Sequence, residues 1–78
     1  MWEAIEWTQE DQDRWNRVKS AAFEAFDFSV VPIGIHGSEH DGKIKRNGEI
    51  VAIVGGATRK DAIRAMCHFV MTETEFAD

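Results

Sequence analysis

Three stretches of this 78-residue chain hold side chains whose types and spacing could do chemistry. The first is HGSEHDG, residues 36–42, where His36 and His40 flank a three-residue gap with Glu39 and Asp41 alongside. Imidazole and carboxylate both ligate zinc. The spacing falls in a Gly-containing polar stretch and no Cys-x-x-Cys accompanies it, so a loop with two solvated histidines is expected, and no metal or other cofactor. The second is Cys67-His68. Neighbours on a helix point about 100° apart, so they do not face each other as a nucleophile–base pair must. Cys67 is expected as a small buried residue. The third is GGATRK, residues 55–60, where flexible backbone and free N–H groups at a helix start offer an anion site. It lacks the Gly-x-x-x-x-Gly-Lys pattern of a nucleotide-binding loop. No set of nucleophile, base and oxyanion donors emerges, so the expected protein is not an enzyme.

Charge supplies the remaining candidates. The net charge is −5, unevenly spread. Residues 1–41 carry nine acids and three bases; residues 42–78 carry five acids and six bases. Glu10, Asp11 and Asp13 form an acidic group suited to cations on a partner. Lys43, Lys45, Arg46, Arg59, Lys60 and Arg64 form the opposing group, suited to an anion or nucleic acid.

The elements that must position these groups follow from local pattern. Thr8 and Asp11 form a capping-box signature, Thr-x-x-Asp, with Glu10, Asp11 and Asp13 in the first turns, where the helix dipole favours anions. Trp15, Val18, Ala22 and Phe26 recur at helical spacing with Phe23 beside them, predicting a helix over about 9–26 with this stripe in the core. Residues 2–7 read equally as a strand or as an extension of that helix. Phe28 to His36 (FSVVPIGIH) predicts a strand, and Pro32, unable to donate to a ladder, places it at an edge or a bulge. Residues 36–42 read as a loop. Lys43–Arg46 and Glu49–Val54 flank Asn47-Gly48, a strong two-residue hairpin signal. That turn pairs Arg46 with Glu49 and Ile44 with Val51, which puts Ile44, Val51 and Ile53 on a buried face and Lys43 and Lys45 on the other. Thr58 and Asp61 give a second capping box, and apolar rows through Ala62, Met66, Phe69 and through Ile63, Met66, Val70 predict a helix over about 59–72, with Phe76 folding back onto it. The expected fold is α+β: an α-β-β-β-α order, with a three-stranded antiparallel sheet packed against two helices, in one domain over 1–78.

A domain this short has a modest core, although 44% hydrophobic residues with three Trp and five Phe suffice to build one. A single cysteine rules out an intrachain disulfide and points to a reducing compartment. No apolar run approaches a membrane span, and the acidic start MWEAIEWTQED lacks the bases of a signal peptide. A cytoplasmic protein is expected.

The element order is that of the double-stranded-RNA-binding domain, and residues 47–65 carry the closest resemblance. That family's hairpin turn often contains Asn-Gly, followed by a strand, a glycine and a helix opening Ser-Lys-Lys-x-Ala-Lys. Here Asn47-Gly48 leads to Gly56, Thr58, Arg59, Lys60 and Ala62 at compatible spacing. Gly37-Ser38-Glu39-His40 resembles the family's Gly-Pro-x-His loop, with Ser38 in place of Pro. Ile63 stands where the family has its third lysine, and the first helix, which in the family meets the RNA minor groove, opens with Glu10, Asp11 and Asp13. The resemblance implies nucleic-acid contacts at Arg59 and Lys60; the acidic first helix argues for a different use. Small phage-encoded inhibitors of host defence, anti-CRISPR proteins among them, are similar in size and acidity. The leading expectation is therefore a small acidic protein-interaction module that occupies the basic, nucleic-acid-binding surface of a partner. Nucleic-acid binding of the double-stranded-RNA type is the alternative, and homodimerisation through a strand edge is the third reading.

Overall fold

A computed structural model describes residues 6–32 and 39–77. The chain runs α1 (Gln9–Ala25), β1 (Asp27–Val31), β2 (His40–Arg46), β3 (Glu49–Gly56) and α2 (Arg59–Glu73). The strands form one antiparallel sheet in the order β1-β2-β3. This is the expected α+β fold. The strand-or-helix question over residues 2–7 and the expected strand and loop residues 33–38, His36 included, lie largely outside the described residues.

Each helix starts where its cap signal stands. Asp11 N donates to Thr8 Oγ1 at 3.2 Å, and Thr8 N donates back to Asp11 Oδ2 at 2.9 Å, closing the capping box. At α2, Asp61 N donates to Thr58 Oγ1 at 3.1 Å, which is the forward half of the expected box. The hairpin turn has positive φ at both central residues, 54° at Asn47 and 82° at Gly48, the pair of conformations that a type I′ turn demands.

Both helices cover the same face of the sheet. Phe28, Val30, Ile44, Ala52 and Val54 point toward them, and Ile44, Val70 and Met71 are fully buried at the centre. Two glycines set how closely α2 can approach. A Cβ on Gly42 would lie 2.6 Å from Met66 Cγ, and a Cβ on Gly56 would lie 2.6 Å from the backbone nitrogen of Ala62. The first turn of α2 therefore rests directly on the end of β3. At the other end of α2, Arg14 Nη2 donates to the Met71 carbonyl at 2.9 Å, bringing a cation to the negative end of the helix dipole. Phe76 folds back as expected, its ring 6.2 Å from that of Phe26.

Four expectations need correction. The strand expected over 28–36 ends at Val31, so Pro32, which cannot donate to a ladder, stands just past β1 and not within it. Residues 40–42 belong to β2 and not to a loop; Asp41 is buried, opposite Val31 and Gly55. The hairpin register also changes partway along. Arg46 pairs with Glu49, but a bulge between Ile44 and Lys45 sets Ile44 opposite Ala52 instead of Val51. The extra residue turns Ile50 and Val51 out together, and Ile53 follows on the same open face. These three are 51%, 46% and 37% exposed, where burial of Val51 and Ile53 was expected. Lastly, Phe23 leaves the core stripe of α1 and is 59% exposed. Trp15, Ala22 and Phe26 already fill that stripe, and Phe23 lies one position off it.

Candidate functional site

The acidic group sits at the start of α1 with its members in different situations. Asp11 is committed to the cap. The Thr8 backbone N–H and then, more weakly, the Thr8 hydroxyl hold its carboxyl below the ordinary value of 3.8. Glu10 and Asp13 are exposed; Asp13 accepts from the neutral side-chain amide of Gln9 at 3.0 Å. No ion pair among the described residues engages either of them.

The six cations do not converge. Lys43 and Lys45 flank core-facing Ile44, so they project from the open face of the sheet, opposite Ile53 and Ile50 respectively. Arg46 is occupied. Its guanidinium lies 4.2 Å from the Phe26 ring centre and pairs with Glu75, whose carboxyl is held below its usual value chiefly by that hydrogen bond. Arg59, Lys60 and Arg64 stand on the helix side, at the start of α2, with Arg64 6.0 Å from the Trp7 ring centre. The two groups thus stand on opposite sides of the sheet.

A cleft opens between α1, β1 and α2. Its aromatic wall comes from Trp15 and Phe23 on α1 and Phe28 on β1, packed edge to face at 5.7, 6.5 and 5.5 Å between ring centres. Its other wall is Ile63, Met66 and Cys67 of α2, and Arg59 stands at the rim; the cavity holds about 270 Å³. A second depression of about 520 Å³ shares Trp15, Arg59, Ile63 and Cys67 and adds Trp7, Lys60 and Arg64. The Trp7 indole is fixed by donating to Gln12 Oε1 at 3.0 Å. Sequence pattern did not single out this cleft. The only signal was the aromatic surplus on α1, with Phe23 beside a stripe already complete.

Burial pushes the Cys67 thiol up to about 11, so it is protonated and poorly nucleophilic at neutral pH. His68, exposed beside it, points elsewhere on the helix. His40 lies opposite Gly56 in β2, and its Nδ1 has no hydrogen-bond partner. Its proposed companion His36 is outside the described residues, among which no cluster of three metal-ligating side chains occurs. No helix there is long and apolar enough to cross a membrane. Comparison with family models, with curated proteins and with solved structures found no match to this chain.

Proposed function

We propose that this protein is a small non-enzymatic interaction module that docks the acidic start of α1 on a basic surface of a partner protein, in the manner of a phage-encoded inhibitor of host defence. The observation that carries this reading is the exposure of Glu10 and Asp13 without an ion pair among the described residues, beside an Asp11 carboxylate held ionised by its cap. A cluster of exposed carboxylates at a helix end steers association with an opposite field and fixes its register. A nucleic-acid-binding surface is the chemical match on the partner, being selected for dense positive charge.

The test uses the full chain as bait in a host lysate. Wild type captures a partner that added DNA displaces, and Glu10→Lys/Asp13→Lys, which spares the cap, loses it. Capture that ignores both the substitutions and the DNA rejects the reading. The nucleic-acid alternative is weakened by the division of its cations between two faces. A gel shift with an RNA duplex at physiological salt is expected to be blank; a shift lost in Arg59→Ala/Lys60→Ala would reverse the order of the two readings. A second reading, self-association, draws on Ile50, Val51 and Ile53, half exposed on β3, an edge strand without proline. A sedimentation coefficient that rises with concentration, and no longer does so in Val51→Lys, is its signature.

A further inference from the structure

We propose that the cleft between α1, β1 and α2 is a binding site for a small amphipathic anion, an aryl or branched aliphatic carboxylate. Room for the apolar body is present. The inner cavity of about 270 Å³ exceeds the roughly 150 Å³ that accommodates one benzene ring, so it takes a bicyclic aromatic group or a chain of comparable bulk. Its walls suit that body. Trp15, Phe23 and Phe28 hold one another edge to face, which leaves ring surface toward the cavity, and Ile63 and Met66 face them across it. Phe23 is the residue least explained by folding. A phenyl ring 59% exposed, yet locked against two other rings, is a pre-ordered contact surface that costs little entropy to engage.

Room for the charge adjoins it. The inner cavity opens beside Arg59, and the neighbouring depression adds Lys60 and Arg64. Among the described residues no carboxylate lines either depression, and the cations on their linings are Arg59 in the first and Arg59, Lys60 and Arg64 in the second. The Cys67 thiol between the two depressions is neutral, which keeps the shared wall apolar. A ligand with its ring among Trp15, Phe23 and Phe28 and its carboxylate at the rim would give Arg59 the partner that it lacks among the described residues. Arginine supplies paired donors that match a carboxylate edge. This site lies between α1, β1 and α2 but makes no use of Glu10 or Asp13, so it stands or falls apart from the proposed protein docking.

The experiment titrates 15N-labelled protein with 1-naphthoate and, in parallel, with the uncharged 1-naphthalenemethanol, following amide and indole resonances. Naphthoate is expected to give saturable shifts at the Trp15 indole, Phe23, Ser29 and Ile63. Arg59→Gln/Lys60→Gln should weaken naphthoate by about tenfold, the loss of a charge-assisted contact, while the alcohol changes little. Added salt should weaken naphthoate alone. Phe23→Ala should weaken both ligands. All three substituted residues are exposed, so the variants are expected to fold, and circular dichroism checks that they do. Shifts gathered instead on Ile50, Val51 and Ile53, no saturable shift up to the solubility limit, or naphthoate binding indifferent to salt and to the Arg59/Lys60 change would each overturn the proposal.

Discussion

The two helix starts solve one problem with opposite chemistry. Both leave N–H groups without helical partners, and both use a threonine to accept one of them. At α1 the box closes reciprocally and anions crowd the first turn, so cap and dipole act together. At α2 only the forward bond forms, and the first turn begins with Arg59 and Lys60, whose charge opposes the dipole. The start of α1 is stable by its own local chemistry. The start of α2 depends on what lies beneath it, Gly56 of β3, and its cations are free to serve contact with something else.

The largest expected effect tests that dependence. Gly56→Val should lower stability by at least about 2 kcal/mol, because the new side chain meets the backbone of Asp61 and Ala62, which cannot rotate away as a flexible side chain can. Denaturant unfolding measures it, and a cost under a few tenths would show that α2 is not seated on β3 as described.

The next effect compares the caps directly. Thr8→Ala and Thr58→Ala should each cost about 1 kcal/mol, with Thr8 the more costly since its hydroxyl meets both the Asp11 amide and carboxylate. The excess at Thr8 should depend on pH. Asp11 has a lowered native value, so its contribution is complete above 3.8 and is lost as the pH falls through the native value. Unfolding followed from pH 7 into progressively stronger acid should thus show the gap between the two variants closing as the Asp11 carboxylate takes up its proton. Costs that stay unequal by the same amount throughout, or equal throughout, would mean that the Asp11 carboxylate adds nothing to the Thr8 cap.

The smallest effect runs the other way. Arg59→Gln/Lys60→Gln should raise stability slightly, by roughly 0.5 kcal/mol per charge at low salt, since each removes an unfavourable charge from the positive end of α2. A loss of stability on this change would place the two cations in the fold's own service and remove the contrast between the helix starts.

Most of the backbone was legible without coordinates. Thr8 and Thr58 mark both helix starts, Asn47-Gly48 fixes the turn, and the apolar rows of α2 are buried at Ala62, Met66 and Val70. The acids and cations were legible as candidates, but not their grouping. Lys43 and Lys45 part from Arg59 and Lys60 only because the sheet separates its two faces, and Arg46 leaves the set because Phe26 and Glu75 lie beside it. The cleft was not legible at all, since its aromatic wall needs Phe28 of β1 beside Trp15 and Phe23 of α1.

By itself the sequence determined what local interactions decide: caps, a turn with two positive φ values, and the period of each segment, all set within a few residues. The tertiary structure decided what depends on alternatives of nearly equal local energy. A one-residue bulge exchanges the faces of a strand at small local cost, so the fate of Val51 and Ile53 was settled by Ile44 meeting Ala52 beneath the helices. Gly42 and Gly56 read as ordinary strand glycines until α2 lies across them. Their lack of a side chain then becomes the distance at which the helix packs, because no other residue leaves room for Met66 and the Ala62 backbone.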